Sequence, residues 1–196
     1  MINIKNFYSS YLTDLNDKLN KVDFISLDKS YTLLEKTIKN KKNIFVCGNG
    51  GSAAISNHLI CDYLKLIRTF TKYNPKVLSL SSNLELITAI SNDLKYEDIF
   101  SYQLESLGQS GDLLIVISSS GNSKNIVKAI KLAKKKRIKI LGLSGFKGGY
   151  VKKNSDCSIH INIQNYGRSE DSHHIIMHIL MHYFVTKNSN TKKLKL

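Results

Sequence analysis

His58 and Asp62 stand four residues apart, and an α-helix puts positions so spaced on one face. Near the other end of the chain, GRSEDSHHIIMHILMH supplies Glu170, Asp171, His173, His174, His178 and His182. Five of the six histidines therefore fall in two segments, with His160 the exception. Imidazole nitrogens and carboxylate oxygens together suit zinc or a similar divalent ion. For any one histidine, a surface or core imidazole is the commoner role. An i, i+4 His/Asp pair beside a glycine-rich turn carries more weight, although periodicity alone does not bring the two segments together.

Two turns could hold an anion. GNGGS, with Asn49, Gly50, Gly51 and Ser52, matches neither GxGxxG nor GxxxxGK[ST], so dinucleotide and nucleoside-triphosphate sites lack sequence support. Its glycines still let backbone N–H groups approach a ligand, and the helix that follows aims its positive end there. SSSGNS offers Ser118, Ser119, Ser120 and Ser123 between a strand and a helix. Hydroxyls and helix-terminal amides hold a phosphate without a lysine, which suits a small phosphate ester.

The elements that must position these groups alternate along the chain. Helical spacing marks Ile4 to about Lys21 and Asp28 to Lys39. Strands are expected at Asn43 to Cys47, KVLSLSS, GDLLIVISSS, KILGLSG and CSIHINI. Between them lie helices at SAAISNHLICDYLKLI (with Ser52 as its cap), NLELITAISND, Tyr96 to Leu107 and NIVKAIKLAKKK, and a last one from Glu170 to Thr186. This alternation predicts a doubly wound, three-layer α/β sandwich around a mostly parallel sheet. Ligands in such sheets sit beyond the carboxyl ends of the strands, where both turns fall. The chain reads as one domain, 1–196: N-terminal helices in 1–40, the α/β core in 41–187 and a frayed tail in 188–196.

Composition narrows the partners. The formal charge of +14 invites a nucleic-acid reading, yet only Arg68, Arg137 and Arg168 are arginines among 29 basic residues, and the lysines are spread out. The densest run, LAKKKRIKI, lies at a helix C-terminus, where cations suit the helix dipole. No apolar run approaches the roughly 20 residues that span a bilayer, and the N-terminus shows no secretory pattern, so a cytoplasmic protein without a membrane partner is expected. Cys47, Cys61 and Cys157 have no CxxC spacing, which argues against a disulfide framework or a zinc knuckle.

Several long motifs, in order over nearly the whole chain, resemble the phosphoheptose isomerases of the sugar-isomerase (SIS) domain proteins. They are CGNGGSAA with a helical histidine after it, ITAISND with YEDIFSYQLESLGQSGDLLI, VISSSGNSKNIVKAI, LGLSG, and a closing helix with spaced histidines. The resemblance implies a homotetramer in which the N-terminal helices pack, with active sites between subunits. It also implies conversion of sedoheptulose 7-phosphate to a manno-heptose 7-phosphate for surface-polysaccharide synthesis. Ser52, Ser118, Ser119, Ser120 and Ser123 would grip the phosphate, and Asn49, Gly50, Gly51, Asn92 and Asp93 would line the sugar site. His58 and His178 fall on the family's zinc-binding histidines. Asp62 stands where the family has a glutamate that is ligand and base, and Glu170 where it often has a glutamine ligand. Leu66 stands near a common substrate-binding arginine, for which Lys65 or Arg68 could substitute.

What the resemblance implies for mechanism is an enediol route, with Asp62 (or Glu170) as base, His178 as acid, and Zn2+ held by His58, Asp62, Glu170 and His178. Asp62 is one methylene shorter than glutamate, and a misplacement of about 1 Å is costly for proton transfer. Two rivals share the scaffold: an isomerase of another ketose phosphate, and a non-catalytic SIS protein that binds a partner such as a replication initiator.

Overall fold

The computed structural model describes residues 3–189. Five strands, β1 (Asn43–Gly48), β2 (Lys76–Ser79), β3 (Leu113–Ser118), β4 (Lys139–Ser144) and β5 (Cys157–His160), form one sheet. Their order is β2-β1-β3-β4-β5 and each pairing is parallel. The doubly wound α/β class expected from the sequence is the one found. Every residue of β3 is buried, as a strand covered on both faces requires.

Alternation along the strands sorts the core into two layers. Ile44, Val46, Leu113, Ile115, Ile117, Leu141 and Leu143 face one layer. There they meet α1 (Ile4–Leu19), α2 (Phe24–Lys39), α3 (Gly51–Asp62) and α9 (Tyr166–Asn188). Phe45, Cys47, Leu114, Val116 and Ile140 face the other, against α5 (Leu84–Asp93), α6 (Ile99–Leu107) and α7 (Lys124–Lys135). The central strands β1 and β3 are neighbours, but α3 leaves β1 into the first layer and α7 leaves β3 into the second. Their connections part over the strands' carboxyl ends and leave a crevice there.

Local chemistry explains where the boundaries differ from those read off the sequence. Helix α2 starts at Phe24 rather than Asp28 because Asp23 Oδ1 accepts from Ile25 N at 3.0 Å. Helix α9 starts at Tyr166 rather than Glu170 because Asn165 Oδ1 accepts from Arg168 N at 3.0 Å. Ser52 is not the cap of α3, contrary to expectation. Gly50 holds that position at φ 54°, a left-handed conformation, and Ser52 lies buried in the first turn. Beyond Asp62, α3 widens into a π-helical turn, Tyr63–Ile67, and ends in α4 (Arg68–Phe70). A 3-10 turn at Tyr96–Asp98 precedes α6, and a short α8 (Gly149–Asn154) links β4 to β5. Of the segment expected as a frayed tail, Asn188 ends α9 and Ser189 bridges to Thr71; residues 190–196 lie outside the described residues.

At the opposite edge of the sheet, buried Asp112 ties the starts of β1 and β3 together. Its carboxylate accepts from Asn43 N and Gln109 N, each at 2.9 Å, and from Asn43 Nδ2 at 3.3 Å. Asp112→Ala would strand two backbone donors and is expected to cost about 3 kcal/mol of stability. Urea unfolding followed by circular dichroism measures it, and an unchanged midpoint would contradict the role.

Candidate active site

The crevice between β1 and β3 is lined by both serine- and glycine-rich turns. A cavity of about 110 Å³ there meets Asn49, Ser52, Ser118, Ser119, Ser120 and Ser123, with Tyr166 and Glu170 closing it from α9. Helices α1, α2, α5 and α9 each have a side-chain cap, from Asn3, Asp23, Asn83 and Asn165. Helices α3 and α7, whose N-termini meet at the crevice, have none. Two sets of free N–H groups and two positive dipole ends thus converge on one small polar cavity, where an anion satisfies them. The buried hydroxyl of Ser119 has no partner among the described residues, so it too can be turned to a ligand.

The walls are fixed by hydrogen bonds. Asn49 and Asn125 exchange amide bonds at 2.8 and 3.0 Å, which locks the β1 turn to the first turn of α7. Tyr96 Oη donates to Asn49 Oδ1 at 2.9 Å. Asn125 and Tyr96 carry no motif of their own, and sequence reading gave them no role. Gly51 lies directly against the Glu170 carboxylate, which a methyl group at that position would push aside. Burial, and then the neighbouring Asp171 charge, raise the Glu170 pKa above its ordinary value. Asn92 and Asp93 close α5, joined by a 2.8 Å bond between their side chains, and neither lines this cavity.

One to two turns further along α3, the metal-type residues meet. Helix α3 packs on α9 through Ile55 and Leu59 against Ile176, Met177 and Leu180, all in one core layer. His58 Nε2 lies 3.3 Å from Asp62 Oδ2, His178 Nε2 lies 3.1 Å from the same oxygen, and the two nitrogens are 3.2 Å apart. Adjacent ligands of a tetrahedral zinc at about 2.0–2.1 Å stand roughly 3.3 Å apart. The triangle therefore has the size that one ion requires, and the donor set fits zinc or a similar divalent ion. His174 joins it: a ring nitrogen of each of His58, His174 and His178 falls within 4.8 Å of the others. Its i, i+4 spacing to His178 was the available signal, masked by the run of histidines around it.

Glu170 is not in this cluster. Its carboxylate lies against Gly51 in the anion cavity. Leu66, on the π-helical turn, lines a second cavity of about 430 Å³ with Asp62, Ile175, His178, Ile179 and His182, while Lys65 and Arg68 do not line it. The turn after Asp62 thus presents an apolar wall beside the cluster.

Comparison with known proteins places this arrangement. A family model described as the SIS domain matches residues 7–145. The phosphoheptose isomerase of Campylobacter concisus is 36% identical over 177 residues, covering 90% of this chain and 92% of that protein. The chain belongs to the phosphoheptose isomerases of the SIS domain family. It is accordingly an aldose–ketose isomerase. The Helicobacter pylori phosphoheptose isomerase is 38% identical over 155 residues, covering 79% of this chain and 80% of its own. The fold matches that of the phosphoheptose isomerase from Neisseria gonorrhoeae with a TM-score of 0.85 at 24% identity, covering 93% and 97% of the two chains. Among the described residues, no helix is long and apolar enough to cross a membrane.

One histidine of α9 has a different part. His173 is fully buried, and burial, helped by His160 and opposed by the Ser144 backbone, lowers its pKa to about 4. Its folded pKa lies below the unfolded value near 6.5, so the unfolded chain binds the proton more readily. Stability from this group is present above pH 6.5 and is lost, by about 3 kcal/mol, as pH falls towards 4. Urea midpoints across that range should fall in the wild type and fall less in His173→Leu. Parallel profiles would contradict this.

Proposed function

We propose that the protein interconverts sedoheptulose 7-phosphate and D-glycero-D-manno-heptose 7-phosphate, in its α or β form. The observation that carries the reading is two features built on the same pair of helices: an anion cavity at the N-termini of α3 and α7, closed by Glu170 of α9, and a carboxylate–histidine cluster further along α3 and α9. The phosphate would rest on Ser52, Ser118, Ser119, Ser120, Ser123 and the free helix amides. The sugar chain would run along α9 to bring C1 and C2 to Asp62 and His178, with Asn49, Asn92 and Asp93 on the sugar side.

Proton bookkeeping follows from those positions. Asp62, rather than Glu170, which lies in the anion cavity, takes a proton from C1, and the C1–H electrons become the C1–C2 double bond. His178 gives a proton to O2, which forms the enediol. O1 then returns a proton to His178 as C1 becomes the aldehyde, and the carboxylic acid returns its proton to C2. His58, Asp62 and His178 would hold the divalent ion, which when bound supplies positive charge to polarise the carbonyl. Burial of the reacting carbons against Leu66 would limit loss of the proton to water.

The exposed apolar row of α1, Ile4, Phe7, Tyr8 and Leu12, supports packing of the N-terminal helices in a homo-oligomer, which we read as a tetramer. We assign the product to heptose synthesis for surface polysaccharide, in the cytoplasm.

Asp62→Asn and His178→Ala should each lower turnover of sedoheptulose 7-phosphate by about a thousandfold, with circular dichroism and gel filtration unchanged. Wild-type-like turnover in either variant would overturn the assignment. A panel of C5 to C7 ketose phosphates tests the substrate, and preference for a shorter ketose would replace it.

A further inference from the structure

We propose that His174, and not Glu170, is the second ligand that α9 supplies to the divalent ion, giving a His58, Asp62, His174 and His178 set. The inference rests on the reading of this cluster as a metal site and assigns the residue that completes it.

Three observations on the His174 ring carry it. The His174 Nε2 is buried and has no hydrogen-bond partner among the described residues. An imidazole nitrogen left so is costly unless a ligand satisfies it. Its ring stands among the other two, with centroids 4.7 Å from His58 and 4.6 Å from His178. A ring nitrogen of His174 lies within 4.8 Å of those of His58 and His178, within reach of an ion they would share once its side chain turns. The Glu170 carboxylate, by contrast, occupies the anion cavity beside Ser52 and the serine turn, next to the start of α3. Helical geometry separates the two positions by one turn, about 6 Å along α9. Glu170 thus belongs with the groups that meet the substrate, and His174 with those that meet the ion.

Three histidines and one carboxylate also make chemical sense of the shorter Asp62. Its oxygen already stands 3.1 Å and 3.3 Å from the two imidazole nitrogens it would share an ion with. A neutral third imidazole adds a donor without adding charge to a cluster that holds one carboxylate.

Cobalt(II) titration of metal-stripped protein tests the assignment, because its visible ligand-field absorption reports ligand type and coordination number without any turnover. Wild type and Glu170→Ala should bind one cobalt each with the same spectrum. His174→Ala should bind at least about a hundredfold more weakly, beyond the loss typical of an outer-shell residue, and with an altered spectrum. His174→Gln, closer in volume, is read alongside, and circular dichroism confirms that the variants are folded. Wild-type affinity and spectrum in either folded His174 variant would overturn the proposal, as would loss of cobalt in Glu170→Ala alone. Wild type that binds no cobalt would overturn it too, and sedoheptulose 7-phosphate turnover by that protein would then judge the isomerase reading separately. Stoichiometric cobalt with the expected His174 loss but no turnover would uphold the ligand set and sink the substrate.

Discussion

The packing of α3 across α9 is the constraint on which the site depends. Neither helix carries a complete site: α3 brings His58 and Asp62, and α9 brings Glu170, His174 and His178. Ile55 and Leu59 on α3 and Ile176, Met177 and Leu180 on α9 are each at most 4% exposed, and their burial sets the distance between the polar faces. Each such side chain is worth about 1.5–3 kcal/mol when fully buried, far more than the imidazole–carboxylate contacts at the rim, where His58 and His178 are over 40% exposed. Hydrophobic packing therefore holds the histidines 3.2 Å apart, and the polar contacts tune that geometry rather than create it.

The same economy governs the anion cavity. Four helices satisfy their N-termini with an asparagine or aspartate. Helices α3 and α7, like α4, α6 and α8, have no side-chain cap, and the N-termini of α3 and α7 open at the crevice. Gly50 makes this possible by turning the chain at φ 54° without offering a side chain. Local stability is forgone where a phosphate can supply it, and Ser119 adds an unpartnered hydroxyl at the same place. Along α9, eight residues from Glu170 to His178 cover about 12 Å, enough to lay a sugar chain between cavity and cluster.

Much of this was legible in the residues. The strand–turn–helix repeats and the two polar turns gave the α/β class, because apolar runs of five or six with glycine stops have few other readings. His58, Asp62 and His178 were legible from helical spacing joined to the family likeness. Ser52 as a cap was not borne out, since GNGGS lets a glycine take the capping position and draws the serine inside. Asn125 and Tyr96 were invisible because an amide pair across two elements leaves no local pattern. The π-helical turn after Asp62 was equally hidden: one extra residue in a turn shifts the face without changing composition. His174 stood in plain view, yet spacing alone could not show which histidines of α9 face α3.

The interplay of cavity and cluster is tested most directly by one measurement. Protein stripped of metal is given sedoheptulose 7-phosphate with and without added zinc, and the appearance of the aldose 7-phosphate is followed by NMR. Formation of the manno-heptose 7-phosphate, restored by zinc, is the predicted result. No aldose from sedoheptulose 7-phosphate at any zinc concentration, by folded protein, would contradict it.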